Sequence, residues 1–173
     1  LGVMKAYTTR VGRGALPTEI ERSEQFLSHV EAQDSSLLTG RKRRVGWFDA
    51  VLAKTAVCLN GLNSLAITQL DVLSGLQEIN ICVGYQIGDK SYDHLPALAE
   101  DLEKIIPIYE TLPGWNVKVD DILDYKELPE NAKQYLQRIE ELCGIPISII
   151  SLGKKQERFI VLNSPFVREG ATV

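Results

Sequence analysis

The residues best suited to chemistry are Gly40-Arg41-Lys42-Arg43-Arg44, four cations in a row directly after a glycine. The chain carries a formal net charge of −4, so this run stands out against an acidic background. Guanidinium groups grip carboxylates and phosphates through paired hydrogen bonds. Gly40 permits backbone conformations that a side chain forbids. Such a loop suits a small ligand with several negative oxygens. A solvated basic turn ahead of a surface helix has the same composition. A second candidate is Gly12-Arg13-Gly14, whose paired glycines let the backbone approach a ligand or simply mark a turn. A third is Asp71, at the end of an apolar run, where a carboxylate either meets a ligand or caps a turn. Asp49 opens a helical segment and favours its dipole, so it reads as structural rather than catalytic.

The elements that must position these residues follow from hydrophobic periodicity. Residues 1–8 are apolar enough for a buried strand, broken by the stretch from Arg10 to Gly14. Pro17-Thr18-Glu19 marks a turn or helix start. Residues 21–30 suggest a helix with an uneven apolar face, and 31–36 a polar approach to the basic loop. Trp47 to Asn60 reads as an amphipathic helix with Phe48, Val51, Leu52, Thr55 and Leu59 on one face, closed by Asn60-Gly61. Ser64 to Asp71 is a short strand, and Glu78 to Gln86 alternates as a half-exposed strand does. Residues 91–106 suggest a short helix limited by Pro96. Ile108 to Trp115 is extended and ends in Pro113-Gly114, with Trp115 as a packing anchor. Pro129 to Leu142 is the clearest helix, with Ala132, Tyr135, Leu136, Ile139 and Leu142 on one face and Gly144 closing it. Strands follow at Ile145–Ile150 and Arg158–Leu162, and residues 170–173 read as a frayed end. Strands and helices alternate, which predicts an α/β fold.

Composition narrows the function. A length of 173 residues permits one domain with a sizeable core, and 45% apolar with 24% charged residues is ordinary for a globular chain. No run approaches the roughly 18–20 apolar residues that cross a bilayer, and no signal-peptide pattern opens the chain, so no membrane partner is expected. Cys58, Cys82 and Cys143 are odd in number and widely spaced, as suits buried thiols in a reducing cytoplasm. His29 and His94 are isolated and no CxxC occurs, so no structural zinc is expected. The basic residues gather in one loop rather than on a broad face, which favours a small anion over nucleic acid. The opening Leu1-Gly2-Val3-Met4 is apolar and lacks an initiator methionine, which leads us to expect a fragment or processed product of something longer.

Six strings in register carry a family resemblance: Lys5-Ala6-Tyr7-Thr8-Thr9-Arg10-Val11-Gly12-Arg13-Gly14 with Pro17-Thr18-Glu19; Thr39 to Val51; Asn60-Gly61-Leu62; Thr68-Gln69-Leu70-Asp71-Val72-Leu73; Tyr109 to Trp115; and Arg138-Ile139-Glu140-Glu141-Leu142. From about Met4 to Phe166 the chain resembles the C-terminal part of adenylosuccinate synthetases. The resemblance implies a P-loop NTPase-like α/β fold, with a mainly parallel central sheet flanked by helices across residues 1–173. It implies a GTP-dependent ligase that joins IMP and L-aspartate, working with Mg²⁺ as a cytoplasmic homodimer. Carried over residue by residue, an aspartate loop spans about 36–44, with Leu37, Leu38, Thr39, Gly40, Arg41, Lys42 and Arg43. Val11, Gly12 and Arg41 would meet IMP. Arg43 would lie near the GTP phosphates. Two elements at about 68–71 and 151–154 would form the guanine pocket through Gln69, Leu70, Asp71, Ser151, Leu152 and Gly153. The Asp71 carboxylate would accept from guanine N1–H and the N2 amine, a pair that adenine lacks. Lys42 and Arg44, at alternating positions, have no assigned duty and read as solvated or internally paired.

The chain departs from the family pattern at four places. Leu38 stands where a second threonine is usual, Gln69 where a lysine is usual, and Leu152 and Lys154 interrupt a Ser-Thr-Gly-Pro string. No GxxxxGK[ST] or variant of it occurs, so the phosphate cradle, the general acid and base and the Mg²⁺ site are expected in an N-terminal part outside these residues. On that reading no catalytic residue lies in this chain, which alone is inactive. Two alternatives are a stand-alone, non-catalytic purine-nucleotide-binding module and a docking protein that uses the basic loop as an anionic-partner patch.

Overall fold

The computed structural model describes residues 1–20, 30, 43–97, 99–153 and 157–164. Its elements in chain order are β1 (Gly2–Lys5), β2 (Thr8–Val11), β3 (Arg43–Gly46), β4 (Phe48–Asp49), α1 (Ala50–Asn60) and β5 (Leu65–Thr68). A 3-10 turn (Leu70–Leu73) leads to β6 (Glu78–Ile87), β7 (Lys90–Tyr92), the single turn α2 (Ala99–Leu102) and β8 (Ile106–Pro113). A second 3-10 turn (Tyr125–Glu127) precedes α3 (Glu130–Cys143), β9 (Ile147–Ser151) and β10 (Phe159–Val161).

The expected α/β architecture is present. β1, β5 and β9 run parallel, and β10 closes one side antiparallel, in the order β1-β5-β9-β10. β5 and β9 are the inner strands, and in β5 Leu65 and Ile67 are fully buried, as a strand covered on both faces must be. The second sheet, β4-β6-β7 with β8 also on β6, is mostly antiparallel and was not anticipated. The alternation in residues 78–86 did locate its main strand. The Tyr85 side chain is fully buried there, whereas Gln86 is exposed.

Helix α3 matches expectation closely. Ala132, Tyr135, Leu136 and Ile139 are buried, and Gly144 ends the helix at φ 73°. The Tyr135 hydroxyl donates to Ala6 O at 2.6 Å, joining this helix to the end of β1. Trp115 is the anchor its sequence context suggested, buried with Nε1 donating to Ser74 Oγ at 3.1 Å.

Helix α1 differs from expectation in two ways. It begins at Ala50, because Phe48 and Asp49 pair with β6 as a short strand. Its buried face is Ala50, Val51, Ala53 and Val57, whereas Leu59 is 81% exposed. The small alanines let the helix lie close to the core, so the larger apolar residues are a poor guide to its face. Residues 10 and 11 also continue β2 rather than breaking a strand. The predicted helix over 21–30 lies outside the described residues, except Val30, which is helical and buried. The expectations for 31–36 and 170–173 lie outside them too.

Asp49 is structural, as its position suggested, and serves as the N-cap. Its Oδ1 accepts from Val51 N and Leu52 N, both at 3.1 Å, and its Oδ2 accepts from the buried Tyr85 hydroxyl at 2.7 Å. Burial pushes its carboxyl above the ordinary 3.8, opposed by these hydrogen bonds. The folded state therefore holds this proton more tightly than the unfolded chain, so stability falls as pH rises from 3.8 through the higher folded value. Urea titration across that window should show this slope, and Asp49→Asn, which keeps a cap, should flatten it. Asp49→Ala should cost about 2 kcal/mol through the lost cap and the stranded tyrosine.

Candidate functional site

Two antiparallel strands bring together segments that lie some thirty residues apart. β2 and β3 pair with Thr8 opposite Gly46, Arg10 opposite Arg44 and Val11 opposite Arg43. Cross-strand partners stand about 5 Å apart at Cα. Val11, assigned to IMP by resemblance, therefore faces Arg43, assigned to aspartate and to the GTP phosphates. Residues Leu37, Leu38, Thr39, Gly40, Arg41 and Lys42 lie outside the described residues. Arg43 is the first described residue after them and is half-buried.

The other edge of β3 is held by the turn at 16–20. Ile20 N donates to Val45 O at 2.9 Å, and Trp47 N donates to Thr18 O at 3.1 Å. Gly46 has no room for a side chain here, since a Cβ would stand 2.6 Å from Thr18 Oγ1 and 2.7 Å from Thr18 O. The strand that carries the basic loop is thus registered on both sides.

Beyond β2 the chain turns through Gly12, at φ 84°, and Gly14, at φ 119°. Both values lie in the region that favours glycine. This turn, Arg44 and residues Leu102, Glu103 and Ile105 line a cavity of about 510 Å³. The turn does not rest on backbone ladders. Arg10 Nη1 donates to Ala15 O at 2.9 Å and its Nη2 to Arg13 O at 3.2 Å. Arg44 Nη1 donates to Gly14 O at 2.5 Å and, more weakly, to Gly12 O at 3.4 Å. Arg44 Nε donates to Glu19 Oε1 at 2.7 Å, and its Nη2 pairs with the other carboxylate oxygen. Arg44 is therefore internally paired, one of the two readings open from its place in the basic run.

The expected guanine elements meet at the carboxyl ends of adjacent parallel strands. β5 ends at Thr68 and β9 at Ser151. Ligands in open α/β sheets sit outside such ends. Gln69 follows β5 in the left-handed region, at φ 60° and ψ 37°, a conformation uncommon outside glycine and Asn. Its Oε1 accepts from the Tyr7 hydroxyl at 3.3 Å, and Lys5 Nζ lies 5.3 Å from the centre of the Tyr7 ring. Asp71, half-buried, lies in the 3-10 turn rather than in the strand, and its carbonyl accepts from Ser74 N at 3.1 Å. Ser151 and Gly153 are half-buried. Leu70 and Leu152 are fully buried in the core, so a ligand at this edge could meet only their main chains. Leu152 N already donates to Arg158 O at 2.9 Å.

Arg10, Glu19 and Tyr7 were not singled out from sequence. The alternation of Arg43 and Arg44 along a strand was a usable signal for two opposite roles, but nothing local marked Glu19 as a partner 25 residues away. Among the described residues no three His, Cys, Asp or Glu side chains gather as a metal ion requires. No described helix is long and apolar enough to cross a membrane.

Comparison with known proteins supplies the context. A family model described as adenylosuccinate synthetase matches residues 1–160. An adenylosuccinate synthetase of Neisseria meningitidis serogroup B is 47% identical over 167 residues, covering 96% of this chain and 39% of that protein. One from Methylobacillus flagellatus is 45% identical over 170 residues, with the same two shares. The structure of a fully ligated adenylosuccinate synthetase from Plasmodium falciparum superposes with a TM-score of 0.83 at 34% identity, over 93% of this chain and 39% of that one. The chain thus spans about two fifths of the length of these relatives. With a match over residues 1–160, the chain belongs to the adenylosuccinate synthetase family.

Proposed function

We propose that these residues are the part of a GTP-dependent ligase that recognises L-aspartate, IMP and the guanine base, in a reaction yielding adenylosuccinate for AMP synthesis. The observation that carries this reading is the pairing of Val11 with Arg43, which sets an IMP-assigned residue beside the end of the basic loop. In the reaction proposed, O6 of the purine attacks the γ-phosphorus of GTP and GDP leaves. The aspartate amine then attacks C6, and phosphate departs. Thr39, Arg41 and Arg43 would hold the aspartate carboxylates, with Leu37, Leu38, Gly40 and Lys42 completing the loop. Val11, Gly12 and Arg41 would hold the IMP ribose. Arg43 would face the GTP phosphates, while Gln69, Leu70, Asp71, Ser151, Leu152 and Gly153 form the base pocket.

Among the described residues no three metal-ligating side chains gather, and we derive no step through Mg²⁺, whose site we propose in the N-terminal part of the complete protein. The sequence likewise holds no glycine-rich lysine loop for the phosphates. We therefore assign this segment to binding rather than to proton transfer, and assign turnover to the complete polypeptide, acting as a cytoplasmic homodimer.

Two outcomes test the reading in the longest natural polypeptide that contains these residues. Asp71→Asn exchanges two acceptors for one acceptor and one donor. GTP affinity should fall about a hundredfold, the scale of a lost charge-assisted pair. Xanthosine triphosphate, whose C2 carbonyl accepts where guanine donates, should gain. Unchanged base preference in calorimetry would return Asp71 to a structural cap. The double variant Arg41→Ala with Arg43→Ala should abolish measurable aspartate binding. Full binding by that variant would sink the assignment of the loop.

A further inference from the structure

Arg44 belongs to the basic run, yet its geometry differs from that of a ligand-binding cation. Four of its five N–H donors are already engaged, by the Glu19 carboxylate and the carbonyls of Gly12 and Gly14. Its cross-strand partner Arg10 takes the carbonyls of Arg13 and Ala15. Two facing arginines thus hold four consecutive carbonyls of one turn. In a trans peptide the C=O of one residue and the N–H of the next point in opposite directions. Each held carbonyl therefore turns the following amide away from the guanidinium that holds it. Glu19 contributes the counter-charge that lets Arg44 lie against main chain rather than reach for a ligand. The Glu19 carboxyl is held below its ordinary value first by the Arg44 hydrogen bond, and Arg44 is raised by the same contact.

We propose that Arg44, fixed by Glu19, is a positioning residue for IMP: it holds the Gly12–Ala15 turn in its binding shape and locks that turn to the strand that continues the basic loop. This inference rests on the functional reading above. Three consequences separate it from simpler roles. Arg44 acts through Glu19, so the two residues are coupled. It acts through a planar fork that reaches a carboxylate and a carbonyl together, so lysine cannot replace it. It acts on the turn at 12–15, so it affects IMP and not the base pocket at the ends of β5 and β9.

The test measures Kd for IMP and for GTP, separately and by calorimetry, in the longest natural polypeptide carrying these residues. Arg44→Gln, Arg44→Lys and Glu19→Gln should each weaken IMP about tenfold while GTP stays within about twofold, as expected for loss of one or two charge-assisted hydrogen bonds. The double variant Glu19→Gln with Arg44→Gln should be no weaker than either single one, the signature of a coupled pair. Rescue of IMP binding by Arg44→Lys, with Glu19→Gln silent, would make Arg44 a direct anion contact and overturn the proposal. Equal loss of both nucleotides would reduce it to general stability and also overturn it. If the parent protein binds IMP and no variant changes it, the proposal alone fails. If the parent binds neither nucleotide, the functional reading fails first.

Discussion

Strand β5 is bonded on both edges and buried on both faces, and that confinement governs what the chain can present nearby. Leu65 and Ile67 fix its register against β1 on one side and β9 on the other. A strand so placed can reach solvent only where it ends. It ends at Thr68, and the backbone then takes an unusual left-handed step at Gln69. Strain of this kind persists only where the surroundings over-determine it. Here the surroundings are the fully buried Leu70 and the Tyr7 hydroxyl on Gln69. The step converts an extended strand into a tight turn and sets Asp71 at the sheet's carboxyl edge.

A second constraint works on β3, the strand that follows the basic run. β3 is fastened by β2 on one edge and by the turn at Thr18 on the other, with Gly46 as the point of closest approach. Of two successive arginines, Arg43 sits opposite Val11 at the start of β3, whereas Arg44 turns to Glu19 and the glycine turn. The alternation of a strand thus sends successive side chains of one run of charge to opposite faces.

Much of the fold was legible in the sequence where periodicity was strong. Helix α3 announced itself through Ala132, Tyr135, Leu136 and Ile139, and the Gly61 and Gly144 ends followed from glycine's access to the left-handed region. Helix α1 was harder, because its buried stripe is built from alanines while Leu59 points outward. The antiparallel second sheet was not anticipated, since its strands pair over long separations that no local pattern records. The candidate site was legible as strings rather than as geometry. Arg43, Val11 and Asp71 could be named from resemblance. The side chains that shape their surroundings, Arg10, Glu19 and Tyr7, become visible only when the strands are paired.

The chain has two tryptophans, Trp47 and Trp115, and both indoles are buried. Trp115 Nε1 donates to Ser74, the residue that closes the 3-10 turn of Asp71, and Trp115 O accepts from Gly75 N at 2.7 Å. Indole emission depends on the polarity around the ring and on what its N–H meets. The fold has therefore wired a native fluorophore to the back of the turn that carries Asp71. Any shift of that turn is written into the protein's own ultraviolet light, with no label attached.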